Sequence, residues 1–525
     1  MFNNVNVDIK DSNKWYFIAV LTYIMFWTLL RAQYIDMPFY WDEAWVYAPG
    51  LRHMMESGPS LLPDAIPEFY SRGHPLLFYF LGGIWLKIFG TSFVAYHTFP
   101  LTISVLFLFF IFITVREWTN SLIAISVMIL ISVAKIFYTE AANVLPEILV
   151  ALFFLLSVRY FLKEKLWLYI LFASLGIMTK ESGIVIPGAI LCGNILWNFK
   201  NSTSPFSSDA IKKSLLILAP ILTFLIFLIV QYIYKGWFLF PEHTGMMIKK
   251  STEFVEKLNF AFEWLLEDGQ IYWMSGCLSV LLVFGGKEHQ RTTLFMSLIG
   301  ILIAMYVIKN FNNNIEFMAL MAFAILLGSI HLIGRTLFGD TDVRLKKILL
   351  INFAVYLTYL IFCSVNFVTV RYLITLLPFG FFLYLVTIKT LSPNTRIFCG
   401  AVVFLIAVLA PENFAKNRQS NLIAQIAYVE MRFDLVKKLE ALQTYDSSFG
   451  INDFVIRRTL QDPYSGFLSS AKVFTKVDWS VDEGKEYIVI SNFDPYPEFV
   501  KQGNFGLVHK WEEGVHWMEL WKRNK

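Results

Sequence analysis

The chain has 525 residues, 56% of them hydrophobic and only 16% charged, with Phe occurring 51 times. Soluble domains carry about 25% charged residues, and apolar runs near the ~18–20 residues needed to cross a bilayer recur throughout. Composition therefore excludes a soluble globular or nucleic-acid-binding protein and points to a polytopic membrane protein. The net charge of +4 says little; where Lys and Arg fall says more, because cytoplasmic loops hold the excess of both.

Residues 1–14 are polar and precede an apolar run at 15–35. That run is too long and aromatic for a signal h-region and no small-residue cleavage site follows it, so it reads as an uncleaved first span. A long loop at 36–92 comes next and opens with "FYWDEAWVYAPG", in which Asp42 and Glu43 stand side by side among aromatics. Within it, "PLLFYFLGGIWLKIFG" at 75–90 is short and carries a Gly-Gly pair and Lys87, which suits a helix lying along the membrane surface. Further spans are expected at 93–115, 121–137, 147–161, 167–178, 182–197, 214–234, 271–284, 293–308, 315–333, 348–368, 372–388 and 397–410. With the first they make about thirteen, several of them short. Cys192, Cys277, Cys363 and Cys399 all fall in apolar runs and read as core residues, not as a disulfide framework or a CxxC metal site.

Charge decides whether 75–90 counts as a span. Leaving it out puts Arg116, Arg159, Lys163, Lys165, Lys200, Lys212, Lys213, Lys287, Arg291, Arg335, Arg344, Lys346, Lys347 and Arg396 on the side of Lys10 and Lys14. That is the positive-inside pattern with a cytoplasmic N-terminus. Asp42, Glu43, His74, Glu140, Glu147, Lys180, Glu181, Glu242, His243 and Arg371 then face the other side. Ionisable groups at membrane depth are costly unless they pair or line a polar cavity, so acids and bases gathered at one face mark a site.

A second long external loop, 235–270, carries "FPEHTGMMIKK" and an amphipathic stretch at 254–266. Past residue 410 the chain turns polar. A helical pattern in "NLIAQIAYVEMRFDLVKKLEAL" precedes strand-like runs in "DFVIRRTL", "EYIVISNF" and "HWMELWKR", which predicts a small extracytoplasmic α/β domain at 411–525 after a transmembrane domain at 1–410.

Five fragments in order, "WDEAWVYA", "GHPLLFYFLGGIWLKIFG", "ANVLPEILVALFFLL", "GIMTKESGIVIP" and "VRYLITLLPF", resemble the GT-C class of integral-membrane glycosyltransferases. The likeness runs from about residue 15 to 386 and is nearest to the protein O-mannosyltransferases (glycosyltransferase family 39) and the aminoarabinose transferase that modifies lipid A. It implies a polyprenyl-phosphate-linked sugar donor, an extracytoplasmic acceptor (lipid A, protein or envelope glycan), and inversion at the anomeric carbon.

A sugar on a lipid phosphate already carries a good leaving group, so the enzyme needs a base for the acceptor and cations for the departing phosphate. The resemblance matches Asp42 and Glu43 to the family's acidic pair, with Asp42 as base; a solvated carboxylate capping a short helix is the competing reading. Glu43 is also read as a structural partner for Arg52 or Arg72. Lys180 in "TKES" and Arg371 in "VRYL" are the expected phosphate-binding cations, against the alternatives of a snorkelling Lys and an interfacial anchor. Tyr372 and His74 are candidates for the same phosphate. Glu147 is read either as an acid of the cavity wall or as a first-turn acid after Pro146.

Some members of the class hold a divalent metal, for which His243 and Glu242 are the candidates here. The first-loop Gly73-His74-Pro75, however, lacks the acid or Lys of the lipid A branch. A transporter or lipid flippase is the alternative function; it predicts charges at mid-membrane depth and paired repeats of broken spans, neither of which the sequence displays. The expected location is a bacterial inner membrane.

Overall fold

The computed structural model describes residues 9–200, 207–245, 247–267, 342–366, 369–389, 422–491, 497–513 and 516–524. The spans expected at 271–284, 293–308, 315–333 and 397–410, with Cys277 and Cys399, lie outside the described residues. The chain divides into two compact units, one of residues 1–31, 102–141 and 146–420, the other of residues 32–101, 142–145 and 421–525.

The first unit is helical. Among the described residues, four helices are long and apolar enough to cross a membrane: Lys14–Ala32, Phe93–Trp118, Glu181–Lys200 and Val343–Val365. The shortest of these, 19 residues, reaches about 28 Å at 1.5 Å per residue. The pair Ser208–Leu218 and Pro220–Lys235 makes a fifth candidate bent by 41°. Pro220 sits at the first position of the second helix, where its missing N–H costs nothing and its fixed φ favours a new start. The chain is an integral membrane protein.

Several expected spans prove to be interrupted. The run at 121–137 is two helices, Ser121–Val133 and Lys135–Glu140, parted at an extended Ala134. The run at 372–388 begins as a 3-10 turn, Val370–Leu376, before the helix Leu377–Lys389. Interruptions of this kind leave backbone groups seeking partners inside the bilayer. Arg31 meets part of that need. It is fully buried and donates from Nε to the Tyr138 carbonyl at 3.0 Å and from Nη2 to the Thr139 carbonyl at 3.1 Å.

Basic residues gather at one end of this unit. Arg159 grips Glu117 with two nitrogens at 2.7 and 3.0 Å, Lys163 joins at 2.8 Å, and Arg344 donates to the Glu117 carbonyl. Lys347 and Lys213 lie 3.2 and 3.8 Å from Glu164. These are residues that the loop-charge argument assigned to a common side. Arg159 ends the helix Glu147–Leu162 that Glu147 begins, about 18 Å away along its axis.

In the second unit the helix Leu77–Phe89 has 13 residues, about 20 Å, well short of the ~30 Å hydrocarbon core. Its glycines serve packing. A Cβ on Gly82 would lie 2.5 Å from Leu51 Cδ2, and one on Gly83 would lie 2.8 Å from Met54 Cγ, so bare backbone lets the helix Ala48–Ser57 come close. The C-terminal residues form a five-stranded mixed sheet, β1 Ser448–Ile451, β2 Lys476–Asp478, β3 Tyr487–Ser491, β4 Phe505–Glu513 and β5 His516–Arg523, in the order β2-β1-β3-β5-β4. β1 runs parallel to β2 and β3; β5 is antiparallel to β3 and β4. The helix Leu422–Ala441 precedes it.

One expectation differs here. "DFVIRRTL" is the helix Phe454–Gln461, not a strand: Asp453 accepts the Ile456 amide at 2.8 Å and so caps its start. The first loop belongs to the same compact unit as the C-terminal residues. Tyr70 illustrates the tie by donating to Asp462 Oδ2 at 2.8 Å.

Gly183 is the tightest glycine among the described residues of the first unit. A Cβ there would lie 2.4 to 2.5 Å from the backbone of Gly176 and Ile177, which cannot yield. Gly183→Ala should therefore cost at least the ~1–3 kcal/mol typical of overpacking and lower the unfolding temperature of the purified protein. Gly188→Ala, whose added carbon meets nothing within 4 Å, should leave that temperature unchanged.

Candidate functional site

Three helix ends of the first unit bring their ionisable side chains together. Glu147 is the first residue of its helix, after Pro146. Lys180 stands in extended conformation between the end of the helix Leu166–Thr179 and the 3-10 turn Glu181–Ile184. The close approach of Gly183 to Gly176 makes that reversal tight enough to fix Lys180 in place. Arg371 lies inside the 3-10 turn Val370–Leu376.

Lys180 Nζ donates to Glu147 Oε1 at 2.8 Å, and Arg371 Nε lies 3.2 Å from the same oxygen. All three side chains are nine-tenths buried or more. Lys180 Nζ also sits 4.2 Å from the centre of the Tyr372 ring, a cation–π contact that fixes the ammonium from a second direction. Tyr359 and Cys363, from the helix Val343–Val365, approach the cluster closely enough to interact electrostatically with Glu147 and Lys180 respectively. Sequence reasoning passed over Tyr359 and read Cys363 only as a core residue, since a Tyr and a Cys inside an apolar helix give no signal of their own.

Two cations share one carboxylate oxygen, and Glu147 Oε2 is buried without a hydrogen-bond partner. The trio carries one excess positive charge; Glu181, next in sequence and partly exposed, also acts on Lys180. Such a cluster can receive an anion, and a phosphate is the anion that a guanidinium fork and an ammonium bind best.

The second unit holds the first-loop motif. Asp42 is 9% exposed and makes no side-chain bond capping the π-helical turn Glu43–Tyr47 that follows, so the helix-cap reading does not describe it. Trp41 adopts φ +42°, in the left-handed region that bulky residues avoid. A strained residue followed by a π-turn is a combination that clusters at functional sites. Glu43 is fully buried, and its oxygens accept the Tyr40 amide at 2.9 Å and the Val144 amide at 2.5 Å. His97 Nε2 lies 3.3 Å from Glu43 Oε1. The side chain beside Glu43 is thus His97; Arg52 pairs with Glu56 at 3.0 Å, and Arg72 lies over the Trp45 ring. His74 is buried, just after the left-handed pair Arg72 and Gly73.

Of the two metal candidates, Glu242 is exposed on the short helix Pro241–Gly245. In the first unit the acid near His243 is Glu181, with ligand atoms within 4.8 Å. An imidazole and a carboxylate so placed suit a divalent cation and would supply two of the four or more ligands it takes. Glu140 is buried at the end of the helix Lys135–Glu140.

Removing one member of a buried ion cluster leaves the others uncompensated, at about 3–5 kcal/mol. Glu147→Ala, which strands two cations, should lower the unfolding temperature markedly more than Lys180→Met, which leaves the Glu147–Arg371 contact intact. Thermal unfolding of both variants in the same detergent checks this; equal losses would mean that Glu147 does not hold the cluster together.

No protein-family profile matches the chain, and no characterised protein matches it in sequence. Solved structures do match in fold. ArnT from Cupriavidus metallidurans bound to undecaprenyl phosphate superposes with a TM-score of 0.52 at 11% identity, covering 96% of this chain and 97% of that one. The same protein in the apo state gives 0.47 at 11% identity over 97% and 98% of the two chains. The Archaeoglobus fulgidus oligosaccharyltransferase in the apo form gives 0.42 at 12% identity over 90% and 69%. At these identities the likeness to ArnT is one of fold alone.

Proposed function

We propose that the chain is an inverting glycosyltransferase of a bacterial inner membrane, moving a sugar from a polyprenyl-phosphate carrier to an acceptor on the extracytoplasmic side. The observation that carries this reading is the buried sharing of Glu147 by Lys180 and Arg371 at three helix ends. It is supported by the fold shared with ArnT, which was solved with undecaprenyl phosphate bound.

In this mechanism an acceptor hydroxyl attacks the anomeric carbon from the face opposite the phosphate. The bond from that carbon to the phosphate oxygen breaks, its electron pair stays on the lipid phosphate, and the hydroxyl proton passes to Asp42. Charge grows on the phosphate as it leaves. Lys180 and Arg371, already fixed by Glu147 and Tyr372, would meet that charge without reorganising, the condition under which electrostatic stabilisation is largest. Glu43 holds the turn that carries Asp42 through the Tyr40 and Val144 amides. His243 and Glu181 are where a divalent cation would bind; every step above uses the chain's own residues alone.

The test is to supply membranes containing the protein with a panel of radiolabelled polyprenyl-phospho-sugars and follow the label. One sugar should move to an acceptor, with Asp42→Asn slowing transfer by roughly 10²–10⁴-fold, the usual contribution of a general base. A lipid carried between leaflets with its sugar still attached would instead establish the flippase alternative.

A further inference from the structure

Three residues past Asp42, Trp45 begins a series of aromatic rings in the second unit. Its centroid lies 4.7 Å from Phe454, edge to face, and 5.6 Å from Phe69, while Phe454 stacks on Trp479 at 5.7 Å. Guanidinium groups accompany the rings. Arg457 lies 3.6 Å over Trp479, Arg458 lies 4.4 Å over Phe69, and Arg72 lies 5.2 Å over Trp45. Trp479 is 51% exposed and Phe69 38%, so the outer rings face solvent.

The inner end of this series lacks an acceptor. Trp45 is 8% exposed, and its indole N–H is buried with no hydrogen-bond partner. Buried Trp residues normally find one, since an unmade bond costs about 1–3 kcal/mol. Arg457 Nε and Arg458 Nε are likewise buried without an acceptor. Burial first, and then the adjacent Arg458, disfavour the charge on Arg457. The nearby carboxylates are shared: Asp478, which favours the charge on Arg457, also pairs with Lys485, and Asp462, which interacts with Arg458, accepts from the Tyr70 hydroxyl and the Tyr464 amide.

Stacking faces, guanidinium forks and an orphaned indole donor together describe a ligand. A pyranose offers a flat C–H face for an indole, a phosphate or carboxylate substituent offers paired oxygens for arginine, and either offers an oxygen for Trp45 Nε1. We infer that this surface is the acceptor subsite and that the acceptor is a saccharide bearing an anionic substituent. The inference rests on the transferase reading above and adds the acceptor's class. The same chemistry is offered by a soluble anionic glycan and by the headgroup of a glycolipid.

Binding tests it without turnover. The full-length protein in lipid nanodiscs is titrated with a fluorescent mannose oligosaccharide carrying a 6-phosphate, with its dephosphorylated form, and with the phosphorylated glycan attached to a dialkyl lipid in the disc. The phosphorylated glycan should bind at least tenfold more tightly than the neutral one, and more weakly as salt is raised. Trp479→Ala and Arg457→Gln should each lower affinity about tenfold, while Trp479→Phe retains it. Trp479 is half exposed, so its variants should unfold at the temperature of the unsubstituted protein. Tight binding of the free glycan identifies a soluble source and binding of the lipid-linked form alone identifies a glycolipid; both uphold the subsite. Equal affinity for charged and neutral glycans, indifference to the Trp479 and Arg457 changes, or displacement of the glycan by a Ser/Thr-rich peptide would overturn it. Asp42→Asn should bind as the unsubstituted protein does, so loss of transfer and loss of binding are read separately.

Discussion

A single carboxylate oxygen shared by an ammonium and a guanidinium organises the first unit. Glu147 draws Lys180 to 2.8 Å and Arg371 to 3.2 Å, and none of the three would tolerate burial alone. Each arrives from a different helix end, so the contact fixes the geometry of three segments at once. Lys180 reaches it from a reversal in which Gly183 packs on the backbone of Gly176, and Arg371 from a segment that opens as a 3-10 turn. Local backbone choices that look unfavourable for spans of a membrane are what deliver charge to this point.

The same helices carry the opposite duty at their other ends. The helix Glu147–Leu162 starts at the shared carboxylate and finishes at Arg159, which with Lys163 holds Glu117. The helix Leu166–Thr179 runs from Lys165 to Lys180 in the same way. Apolar stretches between two polar ends separate a basic rim from a buried cluster by about the length of a short span. In the second unit the order of things differs. There Glu43 ties the motif to backbone amides, and Asp42 stands next to a left-handed Trp41.

Much of this could be read from the chain because ionisable residues in apolar surroundings are conspicuous: Asp42, Glu147, Lys180 and Arg371 all stood out before any coordinates. Their partners were less visible. Nothing in the sequence ties Glu43 to His97, or brings Tyr359 and Cys363 toward the Glu147 cluster, because those relations depend on packing between segments far apart in the chain. "DFVIRRTL" was misread since four β-compatible residues outweighed the capping signal of Asp453, although that signal was present. The joining of the first loop to the C-terminal residues was also hidden. Contacts such as Tyr70 with Asp462 span most of the sequence and leave no trace in composition or hydropathy.

Affinity for the bare lipid phosphate tests the central idea most directly. Undecaprenyl phosphate is titrated onto the purified protein in nanodiscs, and the dissociation constant is compared among variants that remain folded. Lys180→Gln and Arg371→Gln should each weaken binding tenfold or more, whereas Lys163→Gln, at the basic rim, should leave it unchanged. Unaltered affinity in both of the first two variants would contradict a phosphate-binding role for the Glu147-centred cluster.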